Sequence, residues 1–173
     1  MQYRLFIAGL TLFTLSACAP SVPKYKDPIG ERYELTPPQG WTAHRSNNLN
    51  YPDGEMKGVS FIAPSNVGSG TVLDEARIDV ATGKESFCPQ TGSAAILGGQ
   101  KANRWTWDDA AAGNRYQGTV VGTLHGGECY RLALFTHGCN LGADCARGHT
   151  APFDPASLLP TFDQVAASFR FLK

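Results

Sequence analysis

The feature that most constrains this chain is the short apolar run that follows its first basic residue. Leu5–Ala17 carries no charge and ends directly before Cys18. A membrane-spanning helix needs roughly 20 apolar residues, and this run is shorter than that and is soon followed by Pro20. The layout is that of a signal peptide. It predicts that the rest of the chain folds outside the cytoplasm.

The residues around Cys18 predict lipid attachment. Leu15-Ser16-Ala17-Cys18 resembles the lipobox of bacterial lipoproteins, in which the cysteine accepts diacylglycerol and becomes the first residue of the mature protein. The alternative is an ordinary signal peptide that is cleaved near Ala17-Cys18-Ala19, with Cys18 incidental. Two or three acyl chains, palmitate among them, make such an anchor stable. Because residue 19 is Ala rather than Asp, the resemblance implies the outer membrane, with the domain facing the periplasm.

Three segments follow from this pattern: a signal peptide over 1–17, a lipidated tether over 18–30 and one globular domain over 31–173. The tether contains Pro20, Pro23 and Pro28 and has no apolar periodicity. Fully extended, it would hold the domain up to roughly 40 Å from the bilayer. The remaining chain has the usual length of a single domain.

Composition argues for strands and turns and against binding to nucleic acid. The chain has 15 basic and 15 acidic residues, with neither sign gathered into runs, so we expect no nucleic-acid partner. Its 19 glycines and 11 prolines stand in short clusters between apolar segments. The expected class is therefore α+β with an antiparallel sheet.

Four cysteines besides Cys18 predict two disulfides, because an exported chain meets an oxidising compartment. They are Cys88, Cys129, Cys139 and Cys145. Four cysteines allow three pairings. The short loop between Cys139 and Cys145 favours one small ring, and Cys88 with Cys129 then forms the second, larger ring.

Alternating apolar residues predict most of the strands. They lie at Tyr33–Leu35, Gly58–Ala63, Ala76–Ala81, Asn103–Trp107, Tyr116–His125 and Cys129–Thr136. In the last of these, Tyr130, Leu132 and Leu134 share a face and Arg131 points away, which predicts a sheet with one buried face. Near the end, Asp154-Pro155 predicts a turn of helix. A capping box at Thr161–Gln164 predicts a helix over 162–167, and a last strand follows at 169–171.

The order of these features resembles the PsbP-like superfamily. The matching segments are Pro37-Pro38-Gln39-Gly40-Trp41, Ile96–Ala102 and the terminal Ser168-Phe169-Arg170-Phe171. The resemblance covers most of 31–173 and implies a curved antiparallel sheet flanked by helices, an α/β/α sandwich. It also implies a binding role rather than catalysis, and it assigns no partner-contact residue to this chain.

The densest group of reactive side chains is His137, Cys139, Cys145 and His149. Two imidazoles and two thiolates are a ligand set for Zn²⁺. The competing interpretation, which export favours, is a Cys139–Cys145 disulfide beside two solvated histidines. We therefore expect no metal and no other cofactor, with these four residues as the alternative site.

Trp105 and Trp107 are spaced to lie on one face of their strand. Core packing is one explanation, and a platform on which a sugar or an aromatic ligand stacks is the other. No serine, cysteine or carboxylate pattern forms a catalytic set. The sequence thus predicts a non-enzymatic envelope lipoprotein that binds another envelope protein. The alternative is a metal or small-ligand binding domain that uses the His137–His149 loop.

Overall fold

The computed structural model describes residues 23–27, 32–51, 54–140 and 151–173. The predicted signal peptide, Cys18, most of the tether, Cys145 and His149 lie outside these residues. The described strands are β1 (Tyr25–Lys26), β2 (Tyr33–Leu35), β3 (Thr42–Tyr51), β4 (Gly54–Ile62), β5 (Leu73–Lys84), β6 (Ser93–Leu97), β7 (Gln100–Ala111), β8 (Asn114–His125), β9 (Glu128–Cys139) and β10 (Arg170–Phe171). Helix α1 spans Leu159–Ser168, and two 3-10 helices span Glu85–Phe87 and Pro155–Leu158.

Seven of the strands form one antiparallel sheet in the order β3-β4-β5-β9-β8-β7-β6. The short strands β1, β2 and β10 form a second sheet, in which β2 is central. Strand β1 lies inside the segment predicted as a tether over 18–30, so the tether ends before Tyr25, whose ring packs on Phe61. Since α1 is the single α-helix in the described part of the chain, the protein is α+β and dominated by its sheets. The predicted last strand is present as β10.

The inner face of the large sheet holds the hydrophobic core. Side chains alternate along a strand, so Leu132 and Leu134 of β9 share this face with Ile78 and Val80, their partners in β5. All four are at most 2% exposed. Helix α1 and the small sheet cover them, and the covering side chains that belong to the same core cluster are Tyr33, Leu35, Phe162, Val165 and Phe169.

The opposite face, called the outer face here, is also buried at its centre, which corrects the prediction of a sheet buried on one side. Arg131, predicted to point away from the buried face, is only 3% exposed. It donates a hydrogen bond to the Phe87 carbonyl oxygen, and its guanidinium lies 5.2 Å from the centre of the Trp105 ring. The cause is that residues near the 3-10 helix Glu85–Phe87 fold back over this face.

A disulfide between Cys88 and Cys129 fixes that segment, in agreement with the favoured pairing. The Cα atoms are 5.2 Å apart. The sulfurs lie in a small second cluster with Leu49, Met56 and Ala81. Cys139 is also disulfide-bonded. Its expected partner, Cys145, lies outside the described residues.

The terminal helix begins earlier than the capping box at Thr161 predicted. Asp154 accepts a hydrogen bond from the Ala156 amide and caps the 3-10 helix, which runs directly into α1 at Leu159. Pro160 is tolerated in the first turn because the amides there have no partner within the helix. The helix therefore needs no new cap at Thr161, and Thr161 lies inside it.

Candidate functional site

The outer face carries a continuous group of aromatic side chains, which we call the aromatic face. It consists of Trp105, Trp107, Tyr116, Phe135 and His137. Strand register aligns them in rows: Trp105 opposes Val120, Trp107 opposes Gly118, and Gly118 in turn opposes Phe135. The next row pairs Tyr116 with His137. All five side chains are partly exposed.

Small residues between these rings let them lie close to the sheet. A Cβ atom at Gly118 would stand 2.3 Å from Nε1 of Trp107, so only glycine leaves room for this indole. Val120 and Ala133 are each 2% exposed although no α-helix covers this face in the described part of the chain. The neighbouring rings and arginines therefore shield them. Trp105 and Trp107 are thus on one face, as predicted, but that face is not the main core.

Buried charges reinforce the same surface. The guanidinium of Arg77 lies 3.8 Å from the centre of the Phe135 ring and pairs with Asp79 (3.1 Å) and Glu75 (2.7 Å). Asp79 is fully buried and also accepts a 2.6 Å hydrogen bond from the Ser60 hydroxyl. Burial acts to lower the pKa of Arg77, but the two carboxylates outweigh it and the pKa is raised. Arg77 therefore stays cationic beside the ring.

His137 and Cys139 take different roles at the end of β9. The imidazole of His137 stacks on Tyr116 with the ring centres 4.8 Å apart, and its Nε2 finds no hydrogen-bond partner in the described part of the chain. Cys139, being in a disulfide, offers no thiolate to a metal. Among the described residues, no group of three His, Cys, Asp or Glu side chains could hold a metal ion. The rest of the predicted set, Cys145 and His149, lies outside them.

A second feature, which the sequence pattern did not predict, lies on the inner face beyond the end of the hydrophobic core. Strands β7–β9 and the segment Asp154–Leu159 enclose a groove of about 420 Å³, which we call the polar groove. Its floor consists of two cross-strand rows: Thr106, Thr119 and Leu134, then Asp108, Gln117 and Thr136. One sequence signal could have indicated this groove. The inner-facing positions of β8 change from apolar Val121 to polar Thr119 and Gln117.

The charge of the groove differs between its two sides. The side with Asp108 is nearly neutral because Arg115 pairs with that carboxylate, and the side with Asp154 is acidic. Arg115 forms two hydrogen bonds to Asp108, at 2.5 and 3.1 Å, and Gln117 adds one at 3.2 Å. The hydrogen bond from Arg115 lowers the pKa of Asp108 and keeps it ionised. Asp154 supplies a second carboxylate at the opposite wall. The adjacent acid Asp109 lies on the other face of the sheet.

Neither a protein-family model nor a curated protein sequence matches the chain significantly. Solved structures that are similar to it include two at 14% identity. A Bacteroides thetaiotaomicron protein covers 87% of this chain with a TM-score of 0.49, and this chain spans about half (48%) of that protein. LpqN of Mycobacterium tuberculosis, which is involved in cell envelope biogenesis, covers 82% of this chain with a TM-score of 0.42, and 83% of LpqN is matched.

No helix in the described residues is long and apolar enough to cross a membrane.

Proposed function

We propose that this protein is a lipid-anchored envelope lipoprotein whose domain binds another envelope protein without catalysing a reaction. The observation that carries the proposal is the aromatic face. It presents two tryptophans, a tyrosine, a phenylalanine and a histidine on a rigid sheet, beside the cations Arg77 and Arg131. Trp, Tyr and Arg are the residues that dominate binding energy at protein interfaces.

The rigidity of this surface supports a binding role. The Trp107 ring is held over Gly118 by close packing, and Arg77 is held by two carboxylates, so these two side chains have little freedom left to lose when a partner docks. The Cys88–Cys129 disulfide restrains the segment that lies over the outer face and contacts Arg131. The surface would therefore be pre-organised for binding a partner.

The anchor supplies the cellular context of the proposal. Cys18 would carry the lipid, the segment before β1 with Pro20 and Pro23 would hold the domain clear of the bilayer, and Ala19 would direct the protein to the periplasmic side of an outer membrane. The proposed fold is PsbP-like, with α1 and the Ser168–Phe171 segment as its closing elements. A helix on the aromatic face, which a full α/β/α sandwich requires, is not part of the described chain.

Site-specific photocrosslinking in cells tests the binding surface. A photoreactive residue in place of Asp109, which is exposed on the outer face, should capture a discrete envelope protein. The same group in place of Ala167, exposed on α1, serves as the control and should not. Trp107→Ala should abolish the crosslink from position 109, whereas Ile96→Ala, at a side chain that is 63% exposed elsewhere, should leave it intact. Equal capture from position 167, or no effect of Trp107→Ala, would contradict the proposal.

The anchor has its own test. Cys18→Ser should release the protein from the membrane fraction and abolish the acyl-dependent mass increase of the mature chain. A Cys18→Ser protein that still sediments with membranes would contradict lipid attachment at this residue. That result would not bear on the binding surface, because the variant changes no residue of the aromatic face.

A metal or small-ligand site on the His137–His149 loop is the second candidate. The observation that favours it is the Nε2 atom of His137, which is buried without a hydrogen-bond partner among the described residues. Zinc would need Cys139 and Cys145 as thiolates, so binding should appear only in reduced protein. Metal analysis of protein purified with and without reductant checks this, and an absence of stoichiometric zinc from both samples rejects it.

A further inference from the structure

We propose that the polar groove on the inner face binds a neutral, hydroxyl-rich small molecule of one or two sugar rings. This site lies on the opposite side of the sheet from the aromatic face and does not depend on it. Its volume of about 420 Å³ falls within the range of roughly 300–1,000 Å³ that small-molecule sites occupy.

The decisive observation is the hydroxyl of Thr119. This residue is only 6% exposed and lines the groove, yet its hydroxyl makes no hydrogen bond within the described part of the chain. Its oxygen does not belong to the fully enclosed polar atoms that lack a partner, so the hydroxyl opens onto the groove. A valine would fill the same volume at this inner-facing position but would offer no hydrogen-bonding group. A ligand hydroxyl in the groove would therefore find a donor and acceptor that the described part of the protein does not use.

The neighbours of Thr119 extend the same chemistry. Thr106, directly opposite it on β7, is exposed and adds a second hydroxyl to the lining, and Gln117 presents an amide one row away. Leu134 and Leu159 add apolar surface on which the C–H face of a sugar ring can lie. Hydroxyls and an amide beside a small apolar surface are suited to a sugar, which carries both kinds of group.

The charges select against anions. Asp108 is already paired with Arg115, and Asp154 adds a carboxylate whose Oδ1 accepts from the Ala156 amide. Among the described residues that line the groove there is no cation to meet a phosphate or carboxylate of a ligand, and the nearby Arg115 is held by Asp108. A negatively charged ligand would be repelled, and a neutral one would not.

A matched pair of threonines provides a clean test. Thr119 and Thr123 lie on the same face of the same strand and are 6% and 4% exposed, but Thr123 lies outside the groove and donates to the Lys101 carbonyl oxygen at 2.7 Å. Thr119→Val should therefore weaken ligand binding while leaving the urea midpoint unchanged or higher. Thr123→Val should lower the urea midpoint while leaving binding unchanged.

Binding is measured on the mature acylated protein in a detergent that contains no sugar, by saturation-transfer NMR and calorimetric titration with glucose, maltose and glucuronate. We expect saturable binding of glucose or maltose, at least tenfold weaker binding of glucuronate, about tenfold weaker binding to Thr119→Val, and a change below twofold for Thr123→Val. The inference is overturned if neither neutral sugar binds. It is equally overturned if glucuronate binds as well as glucose, or if Thr119→Val and Thr123→Val behave alike. None of these results depends on a partner at the aromatic face.

Discussion

Removal of the Cys88–Cys129 disulfide should be the most damaging single change to stability outside the main core. The bond closes a ring across a sequence separation of 41. With the loop-entropy relation, −2.1 − 1.5R ln n with n of 41, the cross-link removes roughly 13 cal/mol/K from the unfolded chain. That corresponds to roughly 4 kcal/mol at 25 °C. We therefore expect the double variant Cys88→Ala, Cys129→Ala to lose about 4 kcal/mol of unfolding free energy.

Urea unfolding, followed by circular dichroism, measures this loss directly. The variant is preferable to chemical reduction because reduction would also open the disulfide of Cys139. For a domain of this size, each kcal/mol shifts the melting temperature by roughly 2–4 °C, so a drop of roughly 8–16 °C should accompany the change.

The m value distinguishes the mechanism. If the bond acts on the unfolded state, its loss lets the unfolded chain expand and expose more surface, so the m value should rise. A loss below about 1 kcal/mol with an unchanged m value would refute the reasoning, because the ring would then not restrain the unfolded ensemble.

Three further changes have defined outcomes. Gly118→Val should displace the Trp107 indole and cost about 1–3 kcal/mol, with a red shift of tryptophan emission; unaltered emission would contradict the close packing. Phe162→Ala should cost about 3–5 kcal/mol in urea unfolding because the side chain is 0% exposed, whereas a cost near zero would mean that α1 does not seal the core. Burial raises the pKa of Tyr33 above its ordinary value of 10.0, so its contribution to stability is complete below pH 10 and declines by about 1.4 kcal/mol per pH unit above it. Tyr33→Phe should flatten that alkaline decline in urea titrations at pH 9–11, and an identical decline in both proteins would contradict the assignment.

The strands that the sequence predicted are those whose alternation faces the core. Tyr130, Leu132 and Leu134 defined β9, and the glycine pair after His125 defined the turn before it. The two edge strands of the seven-stranded sheet, β3 and β6, were not predicted. β3 is rich in Asn and polar residues, and β6 is mostly exposed. An edge strand pairs on one side only and buries few side chains, so its backbone hydrogen bonds, rather than its pattern, hold it in place.

The burial of Arg131 could not be predicted from the pattern of β9. It depends on a segment more than 40 residues earlier, which the Cys88–Cys129 bond brings over the outer face. The polar groove was missed for a similar reason. Its floor comes from β7–β9 and its wall from Asp154–Leu159, so it exists only after the chain end has returned to the sheet. The position of Trp105 and Trp107 on one face was predictable, because residues two apart on a strand share a face whatever the tertiary structure.

The two proposed surfaces are opposite sides of the same strand, β8. Gly118 and Val120 lie beneath the aromatic face, while Gln117 and Thr119 form the floor of the polar groove. Because successive side chains point to opposite faces, Gly118→Val and Thr119→Val alter different surfaces although they are adjacent in sequence. If the surfaces act independently, the first variant should impair only capture of the partner and the second only sugar binding. If instead each variant impairs both, the backbone of β8 couples the sites, and ligand in the groove would regulate docking on the outer face.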